Sequence, residues 1–262
     1  MHEPAPAAAA PRRDAAITLR YDGCPLFENP GLRVQSLLRR ILPRRLLVTA
    51  RLQQIFFGQY GHTRRIDGMP ADGMGNFQPW LSYPLIEYLN GFDFSGKDVF
   101  EYGSGGSTLF WATRARSVFS VEFDAGWYGV LRQRLPANAT LVHEADGGRY
   151  ADLPRTLAPR RFDVIVVDGA ERYRSARTAI EALAPGGMII LDNAEWYPNT
   201  SDLLVDAGLL EVRFCGFSPI NAFTSTSSVF LSRDFAFPRS EAARRPPRGG
   251  KGLPHGALDD GL

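Results

Sequence analysis

The stretch Asp98-Val-Phe-Glu-Tyr-Gly-Ser-Gly-Gly-Ser-Thr108 decides the fold of this chain. It begins with a short apolar run up to Glu101, passes through a turn that contains three glycines, and enters a helix-like pattern at Ser107. Glycine permits positive φ angles and close approach to the backbone, and a helix N-terminus presents unpaired N–H groups. The stretch therefore predicts a strand, a tight turn and a helix. The turn either cradles a ligand or only joins the two elements, because a single glycine-rich loop does not decide between them.

From this stretch onward the chain alternates between strand-like and helix-like segments. We expect strands at 98–102, 117–122, 140–144, 161–168, 188–192, 209–216 and 228–233. We expect helices at 107–114, 125–135, within 148–157, at 172–183 and at 199–207. Right-handed crossovers place strands joined by helices parallel in one sheet, whereas the last two strands have no helix between them and form an antiparallel hairpin. The pattern predicts a doubly wound, mostly parallel α/β sheet of the Rossmann-like type, with an antiparallel last strand.

The segments outside this sheet differ in composition. Residues 1–16 are rich in Ala and Pro, and we expect them to be disordered. Residues 17–78 are expected to form a basic extension, partly helical and partly irregular, before the sheet domain at 79–238. Residues 239–262 contain Pro-Pro and Gly-Gly pairs and mixed charge, and we expect a second disordered tail.

Within the extension, residues 32–57 combine apolar residues at helical spacing with arginines between them, and Pro43 interrupts the run. One interpretation is an amphipathic segment in peripheral contact with an anionic membrane surface. The other is a helical arm that packs on the body and keeps its arginines in solvent. We favour the arm.

The charge distribution and the cysteine content limit the classes of function that this protein could have. The 262 residues carry a net charge of +2, but the ends, 1–57 and 239–262, together carry +7, which leaves −5 on the body between them. An acidic body disfavours nucleic acid as a partner. Cys24 and Cys215 are too far apart in sequence to indicate a disulfide framework or a metal site. No apolar run approaches the roughly 18 residues of a membrane span, and the N-terminus is a poor signal peptide, so a cytoplasmic location is expected.

Acidic residues end or closely follow five of the strands: Glu101, Glu122, Asp146, Asp168 and Asp192. They are spaced 21, 24, 22 and 24 residues apart. Because the carboxyl ends of parallel strands line one edge of a sheet, where ligands bind, we expect these acids to converge. Each acid alone could cap the following helix. Five acids at strand intervals favour a shared site.

The positions of the acids suggest the ligand. Glu122 lies 19 residues after Gly103, the spacing at which an acid accepts hydrogen bonds from a ribose diol. Phe123 could lie on an adenine face, and Asp146 could accept a hydrogen bond from an exocyclic amine. Glu101, just before the glycines, suits a cationic amino group and not a pyrophosphate. The set favours an adenosine that carries a positively charged amino-acid tail.

Several motifs together resemble the class I S-adenosylmethionine-dependent methyltransferases. They are Val99-Phe-Glu-Tyr-Gly-Ser-Gly105, Val121-Glu-Phe-Asp124, Ala145-Asp-Gly147, Phe162-Asp-Val-Ile-Val-Val-Asp168 and Leu183-Ala-Pro-Gly-Gly-Met-Ile-Ile-Leu-Asp192. The resemblance spans about residues 79–233 and implies a seven-stranded sheet with an antiparallel last strand. It places the methionine end of the cofactor at Glu101 and Gly103, the ribose at Glu122 and the adenine at Asp146. The predicted cofactor-binding residues are Glu101, Gly103, Ser104, Gly105, Glu122, Phe123, Asp146, Gly147 and Asp168.

If the cofactor is S-adenosylmethionine, the protein must align the donor with the acceptor and help remove a proton from the acceptor. We predict Asp168 and Asn193 as catalytic residues, with O-methylation of a small-molecule or glycan-like acceptor. Asp168, Asp192 and Asn193 also resemble the cation-binding trio of the catechol and caffeoyl-CoA O-methyltransferases, which implies Mg²⁺. The lysine expected nearby in those enzymes is missing from 169–173, so a helix-capping role for Asp192 and Asn193 also stays open.

Other functions remain open at this point. In a nicotinamide-dependent oxidoreductase the third glycine of the dinucleotide fingerprint would stand at Thr108. An aminopropyltransferase would carry a Gly-Gly-Gly-Asp-Gly signature, which the loop lacks. A non-catalytic cofactor-binding scaffold would need the acids but no acceptor pocket. The aromatic residues at 196–197 and within 217–226 either wall such a pocket or pack ordinarily. The sequence does not indicate an oligomeric state.

Overall fold

A computed structural model of the protein describes residues 43–250. The predicted disordered stretch 1–16, the residues up to 42 of the extension and those from 251 of the tail lie outside the described residues. The chain divides into two units at Arg51. Helix α1 (Arg44–Gln53) begins directly after Pro43, and the fixed φ of proline suits the start of a helix. A π-helical turn, Gln54–Gln59, follows it.

The second unit contains a hairpin, a large sheet and six helices along the described chain. The hairpin consists of β1 (Arg65–Ile66) and β2 (Met69–Pro70). The sheet strands are β3 (Asp98–Tyr102), β4 (Ser117–Glu122), β5 (Ala139–His143), β6 (Phe162–Val167), β7 (Leu183–Leu191), β8 (Leu210–Phe217) and β9 (Thr224–Leu231). The helices are α2 (Tyr83–Asn90), α3 (Gly106–Ala112), α4 (Ala125–Leu131), α5 (Gly147–Thr156), α6 (Arg172–Ala182) and α7 (Pro198–Asp206).

The seven sheet strands lie in the order β5-β4-β3-β6-β7-β9-β8. Strands β3 to β7 pair in parallel, and β9 runs antiparallel to both of its neighbours. This confirms the predicted fold class: a doubly wound, mostly parallel sheet whose last strand is antiparallel. The seven strands and the antiparallel β9 agree with the sheet that the sequence resemblance implies.

Strand β6 shows why the sheet needs helices on both faces. Its residues are buried except for Asp163, and successive side chains point to opposite faces. Phe162, Ile165 and Val167 belong to one hydrophobic cluster. Val164 and Val166 belong to a second cluster on the other face. The uninterrupted apolar run in the sequence therefore supplies both cores.

The strand order reverses at β3, which has β4 on one side and β6 on the other. At such a switch point the loops leave in opposite directions and open a crevice. The Asp168 N–H donates to Tyr102 O (3.2 Å), and the Gly103 N–H donates to Val121 O (2.9 Å). The loops after β3 and β6 therefore start side by side, and the crevice opens between them.

Several boundaries differ from the expected ones. β7 begins at Leu183, five residues early, because Leu183 pairs with Phe162 before a bulge in the register. The segment 58–78, expected to be irregular, contains the β1–β2 hairpin. In the stretch expected to be a disordered tail, Glu241–Arg244 forms a 3-10 turn and Arg248 pairs with Glu87 at 2.8 Å. The Glu87 carboxylate is half-buried, and the composition of the tail could not predict that Arg248 pairs with it. The domain boundaries stay predictions.

Among residues 43–250, no helix is long and apolar enough to cross a membrane. The described part of the basic segment, α1, exposes Leu46, Val48 and Leu52. Peripheral membrane contact by this segment stays a prediction.

Candidate cofactor and acceptor site

A cavity of about 640 Å³ lies at the carboxyl edge of the sheet. It is lined by the glycine-rich turn after β3 and by acids that end or follow β3, β4, β6 and β7. Residues 68–70 of the β1–β2 hairpin line it as well. Five aromatic residues also line it: Trp80, Tyr102, Trp127, Trp196 and Phe223. This is the crevice that the switch point predicts.

The glycine-rich turn brings bare backbone to the cavity. Gly103 has a φ of 95°, a left-handed conformation that favours glycine. A Cβ atom on it would lie 3.3 Å from the backbone of Gly169, in the loop after β6. The Gly105 N–H donates to Thr108 Oγ1 at 3.0 Å, which closes the turn. The loops after β3 and β6 can therefore pack together because glycine stands on both sides of their contact, at positions 103 and 169.

Glu101 is the most deeply placed carboxylate of the cavity, with only 1% of its surface exposed. Its Oε2 accepts hydrogen bonds from Thr108 Oγ1 (2.6 Å) and Ser120 Oγ (2.9 Å). Its Oε1 has no hydrogen-bond partner. Burial raises the pKa of Glu101 to about 7, and the nearby hydroxyls of Ser107, Thr108 and Ser120 lower it. An unpartnered buried carboxylate oxygen is costly, and a bound cation or N–H donor would remove that cost.

Glu122 ends β4 and is buried beside the turn. Its Oε2 accepts a hydrogen bond from Ser104 Oγ, and its Oε1 accepts one from the Asp124 N–H at 2.9 Å. The indole N–H of Trp127 donates to Ser104 O at 3.0 Å, which fixes the turn from the other side. Glu122 and Ser104 thus face the same part of the cavity.

Three of the predicted cofactor residues do not line this cavity. Asp146 caps α5, where its Oδ1 accepts from the Arg149 N–H at 2.9 Å. Gly147 is the first residue of that helix, and a Cβ atom on it would lie 3.0 Å from the Glu171 carboxylate. Phe123 is 41% exposed. Their contact with an adenine stays a prediction, whereas Glu101, Gly103, Ser104, Gly105, Glu122 and Asp168 lie together.

The predicted catalytic and metal residues surround an arginine. Asp168, Asp192 and Asn193 all line the cavity, and Arg172 lies between them. Arg172 Nη2 donates to Asp168 Oδ1 and to Asp168 O, both at 3.1 Å. Its Nη1 donates to Asp192 O and to Asn193 Oδ1 (3.4 Å). Its Nε donates to Gly169 O at 3.2 Å.

This arrangement does not support the predicted Mg²⁺ site. Mg²⁺ needs oxygen ligands about 2.0–2.1 Å away in octahedral geometry, and here a guanidinium holds the oxygens of Asp168 and Asn193. The other oxygen of interest, Asp192 Oδ1, accepts a hydrogen bond from Ser227 Oγ. Across residues 43–250 no group of three or more His, Cys, Asp or Glu side chains could hold a metal ion.

Two carboxyls beside Arg172 have perturbed acidity. Burial raises the pKa of Asp168 above its usual range, and the charge of Arg172 opposes that rise. Burial and then the neighbouring charge of Asp168 raise the pKa of Asp192. Carboxyls that titrate nearer to neutral pH are suited to accept a proton from a reacting group.

Sequence reasoning missed Arg172 and the hairpin. Arg172 is the first residue of α6, whereas Asp168 lies in the loop before that helix, so no helical pairing pattern pointed to this contact. Met69 and Pro70 reach the cavity from a segment without a regular pattern, so no signal pointed to them. Asn221 and Phe223, within the segment suggested as a pocket wall, do line the cavity.

Comparisons with known proteins add little. No family model matches the chain, and no curated protein matches it significantly. The structure of a methyltransferase from Pyrococcus furiosus is similar to this chain, with 16% sequence identity and a TM-score of 0.45; the alignment covers 72% of this chain and 99% of the other. A putative methyltransferase from Streptococcus mutans in complex with SAH has 12% identity and a TM-score of 0.43, over 56% and 97%. A putative rRNA-methylase from Clostridium thermocellum has 17% identity and a TM-score of 0.43, over 59% and 97%. At these scores the likenesses carry no conclusion about activity or substrate.

Proposed function

We propose that the protein is an S-adenosylmethionine-dependent methyltransferase that acts on a hydroxyl group of a small-molecule or glycan-like acceptor. The observation that carries this proposal is Glu101, a buried carboxylate with one unpartnered oxygen beside a glycine-rich turn. A pyrophosphate at this position would face a buried negative charge. A cationic amino group would pair with it.

The described residues fit this cofactor. Glu101 would pair with its amino group, the backbone of 103–105 would lie along its methionine end, and Glu122 would accept hydrogen bonds from its ribose. The cavity volume of about 640 Å³ falls within the range of about 300–1,000 Å³ that small-ligand sites occupy. When bound, the cofactor supplies an electrophilic methyl group on a sulfonium centre.

The acceptor side would lie near Arg172. There Asp168 is the candidate to receive the acceptor proton, and Asn193 would orient the acceptor hydroxyl. The large rings of Trp80, Trp196 and Phe223 are partly exposed around the same cavity. Flat apolar faces of this kind suit an acceptor with both hydroxyl groups and an apolar face, such as a sugar ring.

A second groove supports an extended acceptor. It encloses about 600 Å³ and shares Trp196 with the cavity. Polar side chains line it, including Asn199, Asp202 and Asp206. Its two carboxylates disfavour an anionic acceptor and can accept hydrogen bonds from hydroxyl groups. Together the two spaces favour a neutral, hydroxylated acceptor over a nucleic acid.

Calorimetry tests the cofactor part of the proposal. We expect S-adenosylmethionine and S-adenosylhomocysteine to bind with 1:1 stoichiometry and NAD not to bind. Binding of NAD without binding of S-adenosylhomocysteine would support the oxidoreductase alternative and end the proposal. Methyl transfer is then assayed with tritiated cofactor and a panel of neutral glycosides and phenols. Cofactor binding without transfer to any of these acceptors would favour the non-catalytic scaffold.

A further inference from the structure

Arg172 uses all of its hydrogen-bonding capacity within the protein. A guanidinium carries five N–H donors and no acceptor. The Arg172 side chain makes five hydrogen bonds, to oxygens of Gly169, Asp168, Asp192 and Asn193. Only 10% of the side chain is exposed. The arginine therefore has no donor left for an acceptor molecule, although it lines the cavity.

The positive charge of Arg172 stabilises the negative charge of the Asp168 carboxylate beside it. Arg172 Nη2 lies 3.1 Å from Asp168 Oδ1, and Asp192 lines the same cavity. Asp192 is buried and Asp168 is half-buried, and a carboxylate that is partly removed from water is stabilised by a cation at hydrogen-bond distance. The guanidinium supplies that cation and is covalently part of the chain.

Arg172 also ties two loops together. Asp168 and Gly169 follow β6, whereas Asp192 and Asn193 follow β7, and the guanidinium bonds to both loops. Asn193 has a φ of 51°, a left-handed conformation that is uncommon for residues other than glycine. The guanidinium carbon of Arg172 lies 4.7 Å from the centroid of the Tyr197 ring, a cation–π contact.

We propose that Arg172 is a built-in cation that takes the place of a divalent metal at this edge of the sheet. It holds Asp168, Asp192 and Asn193 in place, so the protein binds no divalent ion there and its reaction needs none. The statement about the reaction rests on the proposed methyltransferase function. The statement about metal binding does not, because it is measurable without cofactor or acceptor.

Electron paramagnetic resonance of Mn²⁺ tests the proposal on the full-length protein. We expect wild-type protein to leave the signal of free Mn²⁺ unchanged. Arg172→Ala removes the guanidinium and leaves the Asp168 carboxylate, the Asn193 amide oxygen and the carbonyl oxygens of Gly169 and Asp192 facing one space. We therefore expect it to bind one Mn²⁺ per chain. At equal concentrations the bound fraction should rise at least about tenfold over wild type. The double variant Arg172→Ala/Asn193→Ala should lose part of this gain.

Arg174→Ala is the matched control. Arg174 stands two residues further along α6, is exposed, and lies 4.0 Å from Glu171. Its removal also subtracts one positive charge near the cavity but opens no space between Asp168 and Asn193, so Mn²⁺ should stay free. Binding by both single variants would show a general charge effect and overturn the proposal.

The other outcomes are equally decisive. Stoichiometric Mn²⁺ binding by wild-type protein that Asn193→Ala weakens would show that a metal displaces Arg172, and the proposal would be wrong. It would also be wrong if folded Arg172→Ala gained no Mn²⁺. If Arg172→Ala does not fold, Arg172→Met, which keeps an apolar stem against Tyr197, takes its place in the titration. Calorimetry with S-adenosylhomocysteine on the wild type reports separately on the proposed function: if it does not bind, that function fails while the Mn²⁺ result stands.

Discussion

Glu101→Gln is expected to weaken S-adenosylhomocysteine binding about 100-fold at pH 8, which equals about 3 kcal/mol. Glutamine keeps the size of the side chain and an oxygen that can accept from Thr108 and Ser120, so the loss comes from the missing charge. The expected magnitude is that of a buried hydrogen bond between charged groups whose partner is left unpaired. Calorimetry on purified wild-type and variant protein gives both affinities.

The pH dependence separates this explanation from a general disturbance of the site. Because the pKa of Glu101 is raised to about 7, wild-type affinity should rise about tenfold per pH unit as the pH approaches 7 from below, and then level off. The affinity of Glu101→Gln for the ligand should not show this rise between acidic pH and pH 7. Glu181→Gln is the control, since Glu181 is an exposed carboxylate that pairs with Arg155 on the surface. Equal pH profiles for wild type and Glu101→Gln would contradict the assignment.

The same substitution should change the stability of the free protein in the opposite direction. A carboxyl whose pKa is higher in the folded state than in the unfolded chain stabilises the fold at low pH, and this contribution disappears as the pH rises through the folded value. For Glu101 that window runs from about 4.5 to about 7. Glu101→Gln removes the cost of a buried charge, so at pH 8 the ligand-free variant should melt above wild type, and the difference should shrink by pH 5.

Gly169→Ala is expected to destabilise the fold by about 2–4 kcal/mol and to abolish detectable cofactor binding. A Cβ atom on Gly169 would lie 2.1 Å from Tyr150 Oη and 2.7 Å from the backbone nitrogen of Gly103. Tyr150 is fully buried, so its ring has little room to move. The loops after β3 and β6 must therefore separate, and the turn that contains Gly103 shifts with them. Thermal melting and calorimetry measure the two effects.

Gly129→Ala is the matched control for Gly169→Ala. Gly129 lies within α4, and nothing lies within 4 Å of a Cβ atom placed on it. The same chemical change there should stabilise the protein by about 0.5–1 kcal/mol, since alanine favours helix interiors over glycine. If Gly169→Ala did not destabilise the protein either, close packing of the two loops would not be the reason why glycine stands at positions 103 and 169.

The sequence was sufficient to predict the sheet because its signals are local and periodic. The apolar run of β6 indicates burial on both faces, and glycines and prolines mark the ends of most elements. The acids Glu101, Glu122, Asp168 and Asp192 meet in one cavity because strand ends meet at one edge. Asp146 does not line it, although its spacing is similar. It follows β5, the edge strand, and β4 separates β5 from the crevice beside β3.

The remaining features depend on contacts between distant segments. Residues 68–70 reach the cavity from a hairpin whose strands have only two residues each, too few to show strand periodicity in the sequence. Arg172 could have been an ordinary exposed helix residue, and only the fold shows that the loop after β7 brings Asp192 and Asn193 to it. The Mg²⁺ prediction was made from three candidate ligands in the sequence, and the structure does not support it, because a guanidinium contacts the oxygens of Asp168 and Asn193.

The crystal structure of the protein with S-adenosylhomocysteine tests the central claim most directly. We predict that the ligand's amino group lies about 3 Å from Glu101 Oε1 and that its ribose hydroxyls contact Glu122. The Arg172 guanidinium should keep its five hydrogen bonds in the complex. A ligand bound with its amino group directed away from Glu101, or bound outside the cavity, would contradict the account.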